Sequence, residues 1–133
     1  FGARIHPSCH IVRTARVECP WNLRMGANSC LGDSAHAYCL GMVTIGARVT
    51  VSQNAHLCAG SHDYNDPDMP LLRPTITIGD DAWIAADAFV GPGVVVGDGT
   101  ILAARGVAVK DLDPWTIYGG NPARSIRPRQ KPA

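Results

Sequence analysis

The feature that most constrains this chain is a six-residue period of apolar side chains. Ile5, Ile11 and Val17 are spaced by six, as are Met25, Leu31 and Ala37, and then Ile45, Val51 and Leu57. From Ile78 the series runs unbroken through Ile84, Val90, Val96, Leu102 and Ala108. A second column lies four residues after each apolar position. It is small or β-branched at Ala15, Ser29, Ala35, Val49, Ala55, Ala82, Ala88, Val94 and Thr100, among others, and only Trp21 and Leu112 break it. Glycine follows the apolar residue directly at Gly26, Gly32, Gly46, Gly79, Gly91 and Gly97.

A helix repeats every 3.6 residues and a half-buried strand alternates every two, so neither generates this pattern. Short strands with a turn every sixth residue do, and three of them wind one triangular coil. The large side chain then fills the triangle, the small one fits near the corner, and glycine relieves the turn. Series starting at residues 5, 25 and 45 are 20 apart, which is three hexads plus two residues. The extra pair predicts a bulged corner in each of those coils. Aromatics make up 6% of the chain, so such a core is built from smaller side chains, and 14 Gly with 10 Pro suit a turn-rich β architecture.

The predicted organisation is therefore all-β, with one domain spanning 1–133. Residues 63–77, DYNDPDMPLLRPTIT, interrupt the repeat with Asp, Asn and three Pro, and are expected to leave the scaffold as an extruded loop. Loops on rigid scaffolds commonly carry function. After Leu112 the repeat stops. A tail of about 113–133 follows, with a turn at Gly119, Gly120 and Pro122 and cations at Arg124, Arg127, Arg129 and Lys131.

A net charge of +1 argues against a general nucleic-acid or membrane surface. No run of 18 apolar residues is present to span a bilayer. Cys9, Cys19, Cys30, Cys39 and Cys58 are odd in number and form neither a CxxC pair nor a zinc spacing. They read as reduced packing residues of a cytoplasmic protein.

The segments LCAGSHDY (57–64), IGDDAWIAADAFVGPGVVVGDG (78–99) and PWTIYGGNPAR (114–124) resemble the hexapeptide O-acetyltransferases. That group includes maltose, galactoside and nodulation-factor acetyltransferases, and the likeness is strongest to those of colanic acid and exopolysaccharide biosynthesis. The resemblance implies a left-handed parallel β-helix, the handedness coming from the family and not from spacing. It implies acetyl transfer from acetyl-CoA to a sugar hydroxyl, in a homotrimer with active sites between subunits. The thioester is already activated, so no metal and no covalent intermediate are needed.

Residue by residue, the resemblance makes His62 the general base, a role suited to a neutral imidazole facing a poorly nucleophilic hydroxyl. It makes Trp83 a wall of the cofactor channel and Ala103 and Ala104 a segment of small residues beside the pantetheine. Lys110 matches a cation near the nucleotide end, and Arg124 and Arg127 could add charge for the phosphates. Asp63 is a candidate to hold the acceptor sugar. Cys39 stands where the relatives usually carry an acceptor-holding Asn. A thiol cannot replace an amide, so either the acceptor is held differently or Cys39 only packs.

His36 and His56 share the hexad position of His62 and are expected to face outward, exposed or at a subunit contact. A zinc-dependent, carbonic anhydrase-like protein is a rival reading, but five residues separate His56 from His62 where that group has a closer ligand pair. A non-catalytic hexapeptide scaffold is a second rival. Within the enzymes, transfer to an amino sugar or to serine remains open.

Overall fold

The structure is a computed structural model describing residues 1–133. Each hexad forms one short strand, and the strands stack into three parallel sheets that the chain visits in rotation. The first sheet stacks Arg4–Ile5, Leu23–Met25, Val43–Ile45, Ile76–Ile78 and Val95–Val96. The second stacks His10–Ile11, Cys30–Leu31, Thr50–Val51, Trp83–Ile84, Ile101–Leu102 and Thr116–Gly119. The third stacks Arg16–Glu18, His36–Tyr38, His56–Cys58, Phe89–Val90 and Val107–Ala108. One circuit of the three sheets is one coil of a left-handed parallel β-helix.

Register explains the six-residue period. On the first sheet Ile5, Met25, Ile45, Ile78 and Val96 stand one above another. On the second the column is Ile11, Leu31, Val51, Ile84, Leu102 and Tyr118. On the third it is Val17, Ala37, Leu57, Val90 and Ala108. Leu31, Leu57, Ile84, Val90 and Leu102 are all 0% exposed. Ile11, on the edge strand of the second sheet, is 36% exposed.

Five local expectations change. The glycines after the apolar column do not supply unusual dihedrals; they permit close approach of the next coil. A Cβ on Gly26 would lie 2.7 Å from the carbonyl carbon of Gly46, and one on Gly79 would lie 2.6 Å from the Asp98 nitrogen. The left-handed turn residue comes two positions later, at Asn28, Ser34, Arg48, Asn54, Asp81, Asp87 and Arg105. Asn and Asp tolerate that conformation best. In the first coil the extra residues bulge the corner as a 3-10 turn over Pro20–Asn22 behind left-handed Cys19, whereas in the next two coils Cys39 and Ala59 add a second inward position at 0% exposure.

The extruded segment is also shorter than 63–77, because Ile76–Ile78 is already a first-sheet strand with Ile76 0% exposed. Leu112 does not break the pattern. It bridges to Val96 and is 4% exposed, so it continues the first-sheet apolar column into one more coil. The tail is likewise structured. Thr116–Gly119 adds a rung to the second sheet, and Arg124–Pro128 folds back antiparallel on it.

The outer face of the third sheet carries a half-buried column. His36 and His56 stack with ring centroids 4.7 Å apart and planes 12° apart, and Phe89 meets His56 edge-on at 5.3 Å. His36 Nε2 lies 3.0 Å from Glu18 Oε1, and Arg16 lies 3.8 Å from the same oxygen. His56 Nε2 is buried without a partner. Burial first, and His36 second, hold the pKa of His56 below its ordinary 6.5, while Glu18 acts in the opposite sense. A base with a depressed folded-state pKa binds its proton more readily in the unfolded chain. Stability is therefore lost as pH falls through the ordinary histidine range. His56→Phe keeps an aromatic ring between His36 and Phe89 and removes this titration. Melting temperatures measured between pH 7.5 and 5, about a unit or more either side of the ordinary value, should fall less in the variant than in the wild type. Parallel curves for the two proteins would refute the assignment.

Candidate active site

The repeat is interrupted where the third sheet hands over to the first. Ser61–His62 leaves the prism and pairs antiparallel with Leu71–Leu72, so the extrusion is a short hairpin. Its tip is closed by backbone bonds from Asp63 N to Pro70 O at 3.0 Å, Asp66 N to Asp63 O at 3.2 Å and Met69 N to Asp66 O at 2.9 Å. The carboxylates of Asp63 and Asp66 accept from the N–H groups of Asn65 and Asp68, which is how Asx turns fix a polar tip. Met69 takes a left-handed conformation, φ 49°.

This turn sets the chemistry of His62. The Met69 carbonyl lies 2.8 Å from His62 Nδ1. A carbonyl can only accept, so Nδ1 carries the proton, and in the neutral ring Nε2 presents its lone pair. The side chain is exposed. A histidine held in this tautomer is arranged to take a proton at Nε2.

A groove of about 470 Å³ lies on the outer face of the second sheet and the corner toward the third. Trp83, Ile101, Ile117 and Arg127 form its wall, stacked in that order by strand register. Ala85, Ala86, Ala103 and Ala104 line the corner, and Ser52 and Gln53 sit on the preceding coil. Seven of the ten lining residues are hydrophobic, which suits a thin, weakly polar ligand. The Trp83 indole N–H donates to Ser52 Oγ at 2.8 Å. Ala103 spends its N–H on Tyr118 O and its carbonyl on Gly106 N, whereas the Ala104 N–H donates to no backbone carbonyl.

Four of the residues singled out from sequence therefore meet in one place: Trp83, Ala103, Ala104 and Arg127. Lys110 and Arg124 are exposed but line no part of the groove; Lys110 follows Val107–Ala108 at the corner leading back to the first sheet. Arg129 is not free for a ligand. It donates to Asp81 O at 2.7 Å and Gly99 O at 3.0 Å, and stacks over Trp115 at 5.4 Å. One oxygen of Asp63 is committed to its turn. His36 and His56 face outward, but they lie on the third sheet and not on the hairpin, because the chain leaves the coil before His62.

The Cys39 side chain is 0% exposed inside the prism, which favours the packing alternative over a role in holding the acceptor. Sequence reasoning missed the other six lining residues, Ser52, Gln53, Ala85, Ala86, Ile101 and Ile117. The available signal was the outward column one residue before the apolar one on the second sheet, Thr50, Trp83 and Ile101.

Coil, hairpin and groove together make a hexapeptide-type β-helix with one open groove. Residues 75–107 match the family described as bacterial transferase hexapeptide (six repeats). WcaF of Escherichia coli K12, a protein named as a colanic acid biosynthesis acetyltransferase, is 40% identical over 129 residues, covering 97% of this chain and 71% of that protein. A hexapeptide-repeat acetyltransferase of Vibrio cholerae O1 biovar eltor, solved in complex with acetyl coenzyme A, superposes with a TM-score of 0.84 at 27% identity, over 98% of this chain and 73% of the other. A maltose O-acetyltransferase of Clostridium difficile 630 shares the fold, with a TM-score of 0.87 at 23% identity over 98% of this chain and 71% of the other. The chain belongs to the hexapeptide-repeat acetyltransferase family, and it is an acyltransferase.

The position of Cys39 has a chemical signature. Burial, reinforced by Cys19 and Glu18, pushes its thiol up to about 12, far from the thiolate form that alkylating agents attack. In the folded protein at pH 8, iodoacetamide should leave Cys39 unmodified, and it should react once the chain is unfolded. Peptide mass spectrometry reads both states. Rapid labelling of Cys39 in the native protein would place it at the surface after all.

Proposed function

We propose that the protein transfers an acetyl group from acetyl-CoA to a hydroxyl of a sugar or polysaccharide precursor, with His62 as general base. The observation that carries this reading is the hydrogen bond from His62 Nδ1 to the Met69 carbonyl, which leaves Nε2 free to accept a proton. Nε2 takes the proton of the acceptor hydroxyl as its oxygen attacks the thioester carbonyl carbon. The tetrahedral intermediate then expels the coenzyme A sulfur, the C–S bond breaks, and the imidazolium returns the proton to the leaving thiolate. No metal takes part.

The groove suits the donor. Its apolar wall fits the pantetheine arm, with Trp83 covering it and the small residues Ala103 and Ala104 allowing close approach; the complex of the Vibrio cholerae relative with acetyl coenzyme A supports this. Arg127 in the groove, with Lys110 and Arg124 outside it, supplies charge for phosphates. A sugar acceptor is supported by the relative named for colanic acid biosynthesis and by the second carboxylate oxygen of Asp63, which the turn leaves free. The donor and the five free cysteines suit the cytoplasm.

Assembly follows from placement. His62 and Lys110 leave the corner between third and first sheets, while the groove occupies the second sheet and the corner beyond it. A homotrimer that sets this hairpin of one subunit against the groove of the next brings base and donor together. Tyr64, Met69, Leu71 and Leu72, exposed on the hairpin at 80, 47, 42 and 45%, give it an apolar contact surface.

Sedimentation should show a trimer at micromolar concentration; a stable monomer that turns over would overturn the shared site. General-base assistance contributes about 10²–10⁴-fold in rate. His62→Ala should lose on the order of 10²-fold or more in kcat while binding acetyl-CoA and remaining trimeric. Retention of more than about a tenth of wild-type turnover would exclude His62 as the base.

A further inference from the structure

We infer that Ser52 is a donor-binding and positioning residue: it fixes the Trp83 indole across the groove and gives its own hydroxyl proton to an amide carbonyl of the bound pantetheine arm. This rests on the reading of the groove as the acetyl-CoA site.

Ser52 directly follows Val51, and Trp83 stands one coil above, over Thr50. The indole is 44% exposed and packs on an open sheet face, so sterics alone leave it several rotamers. The bond from Nε1 to Ser52 Oγ, at 2.8 Å, selects one of them and turns the ring into a wall of the groove. An indole N–H can only donate, so the serine oxygen accepts and its own proton remains to be given away. Nothing within the chain takes that proton: the Ser52 N–H goes to Ile84 O, its carbonyl accepts from Ala55 N, and the hydroxyl makes no other bond.

The groove makes this proton matter. Apart from Ser52 and Trp83, its polar side chains are Gln53 and Arg127 alone. A pantetheine arm carries secondary amides, and burying an amide carbonyl without a donor is costly. The accepted N–H also polarises the serine O–H and makes it the better donor. One side chain thus orients the apolar wall and meets a polar group of the ligand.

The test begins with calorimetric titration of the wild-type trimer with coenzyme A, alongside Trp83→Ala. If the wild type does not bind, or Trp83→Ala binds as tightly, the groove reading fails and this inference fails with it. Given a groove that binds through Trp83, Ser52→Ala should weaken coenzyme A binding and raise the KM for acetyl-CoA about five- to tenfold, the loss expected of one hydrogen bond, with kcat at saturation nearly unchanged. The change in indole fluorescence on coenzyme A binding should shrink in Ser52→Ala and persist in Ser52→Thr, which keeps the hydroxyl and should restore KM. If the alanine variant does not fold, Ser52→Cys, close in size but a weak donor, should show the same loss. A Ser52→Ala trimer with unchanged affinity and fluorescence response would overturn the role of Ser52 and leave the groove reading standing.

Discussion

The whole molecule depends on the backbone bonds that pass from coil to coil. Its strands are two to five residues long, too short to stand alone, and each takes its partners from the coils below and above. The ladder at one corner is regular: Gly26 N to Ile45 O, Gly46 N to Ile78 O and Gly79 N to Val96 O are each 2.8 Å, and Gly97 N to Leu112 O is 2.9 Å. Bonds of this length hold the coils at the strand spacing of about 4.8 Å. At that spacing there is no room for a Cβ at these four corners, which is why glycine recurs there. Once the spacing is fixed, every side chain stands over its counterpart one coil away. The apolar residues then form three continuous inner columns, and whatever faces outward forms a ladder too.

That strict stacking decides what the sequence makes legible. The inner columns repeat in sequence because they repeat in space, so Ile45, Ile78 and Val96 announce the fold without reference to anything else. The position of the excursion is legible for the same reason, since Asp, Asn and Pro break a strict rhythm. Features that depend on which coil lies beneath which are far harder to read. Ser52 and Trp83 are 31 residues apart and meet only because an excursion of unpredictable size lies between their coils. Cys39 leaves two readings open in sequence, because its register within a coil that is two residues longer determines whether it faces in or out. Here it faces in. The glycines are visible in the repeat, but the constraint behind them is an approach between coils and not a dihedral. The sequence of one coil does not reveal that.

The hairpin obeys a different logic. Freed from the ladder, it has to define its own geometry, and it does so with carboxylates that cap backbone N–H groups of the next residues but one. His62 is identified in sequence by resemblance. Its tautomer is a property of the closed turn, since Met69 must adopt a left-handed conformation for its carbonyl to face Nδ1. A methionine in that conformation carries a local cost that a glycine would not. The structure spends it where the orientation of one imidazole is at stake, and the surrounding bonds of Asp63, Asp66 and Pro70 hold the turn in place.

The rigidity that makes a β-helix also limits it. A coil tied to two neighbours at every strand cannot bend its flat face around a ligand, so the groove on the second sheet remains open on its outer side. On the proposed reading, a thioester lying there would be exposed to water, which competes with the acceptor for the same carbonyl carbon, and excluding water is part of what an acyl-transfer site must do. The chain's own hairpin is ill placed to close it, because it departs from the opposite corner of the triangle. In the proposed trimer, a second, equally rigid body laid against the open face would solve the problem without asking either prism to move. Three copies around an axis satisfy every groove with a hairpin and leave no hairpin unmatched, which an open pair does not. On the proposed reading, the division of base and donor between two corners of one chain is the geometric reason for assembly, and exclusion of water is its chemical return.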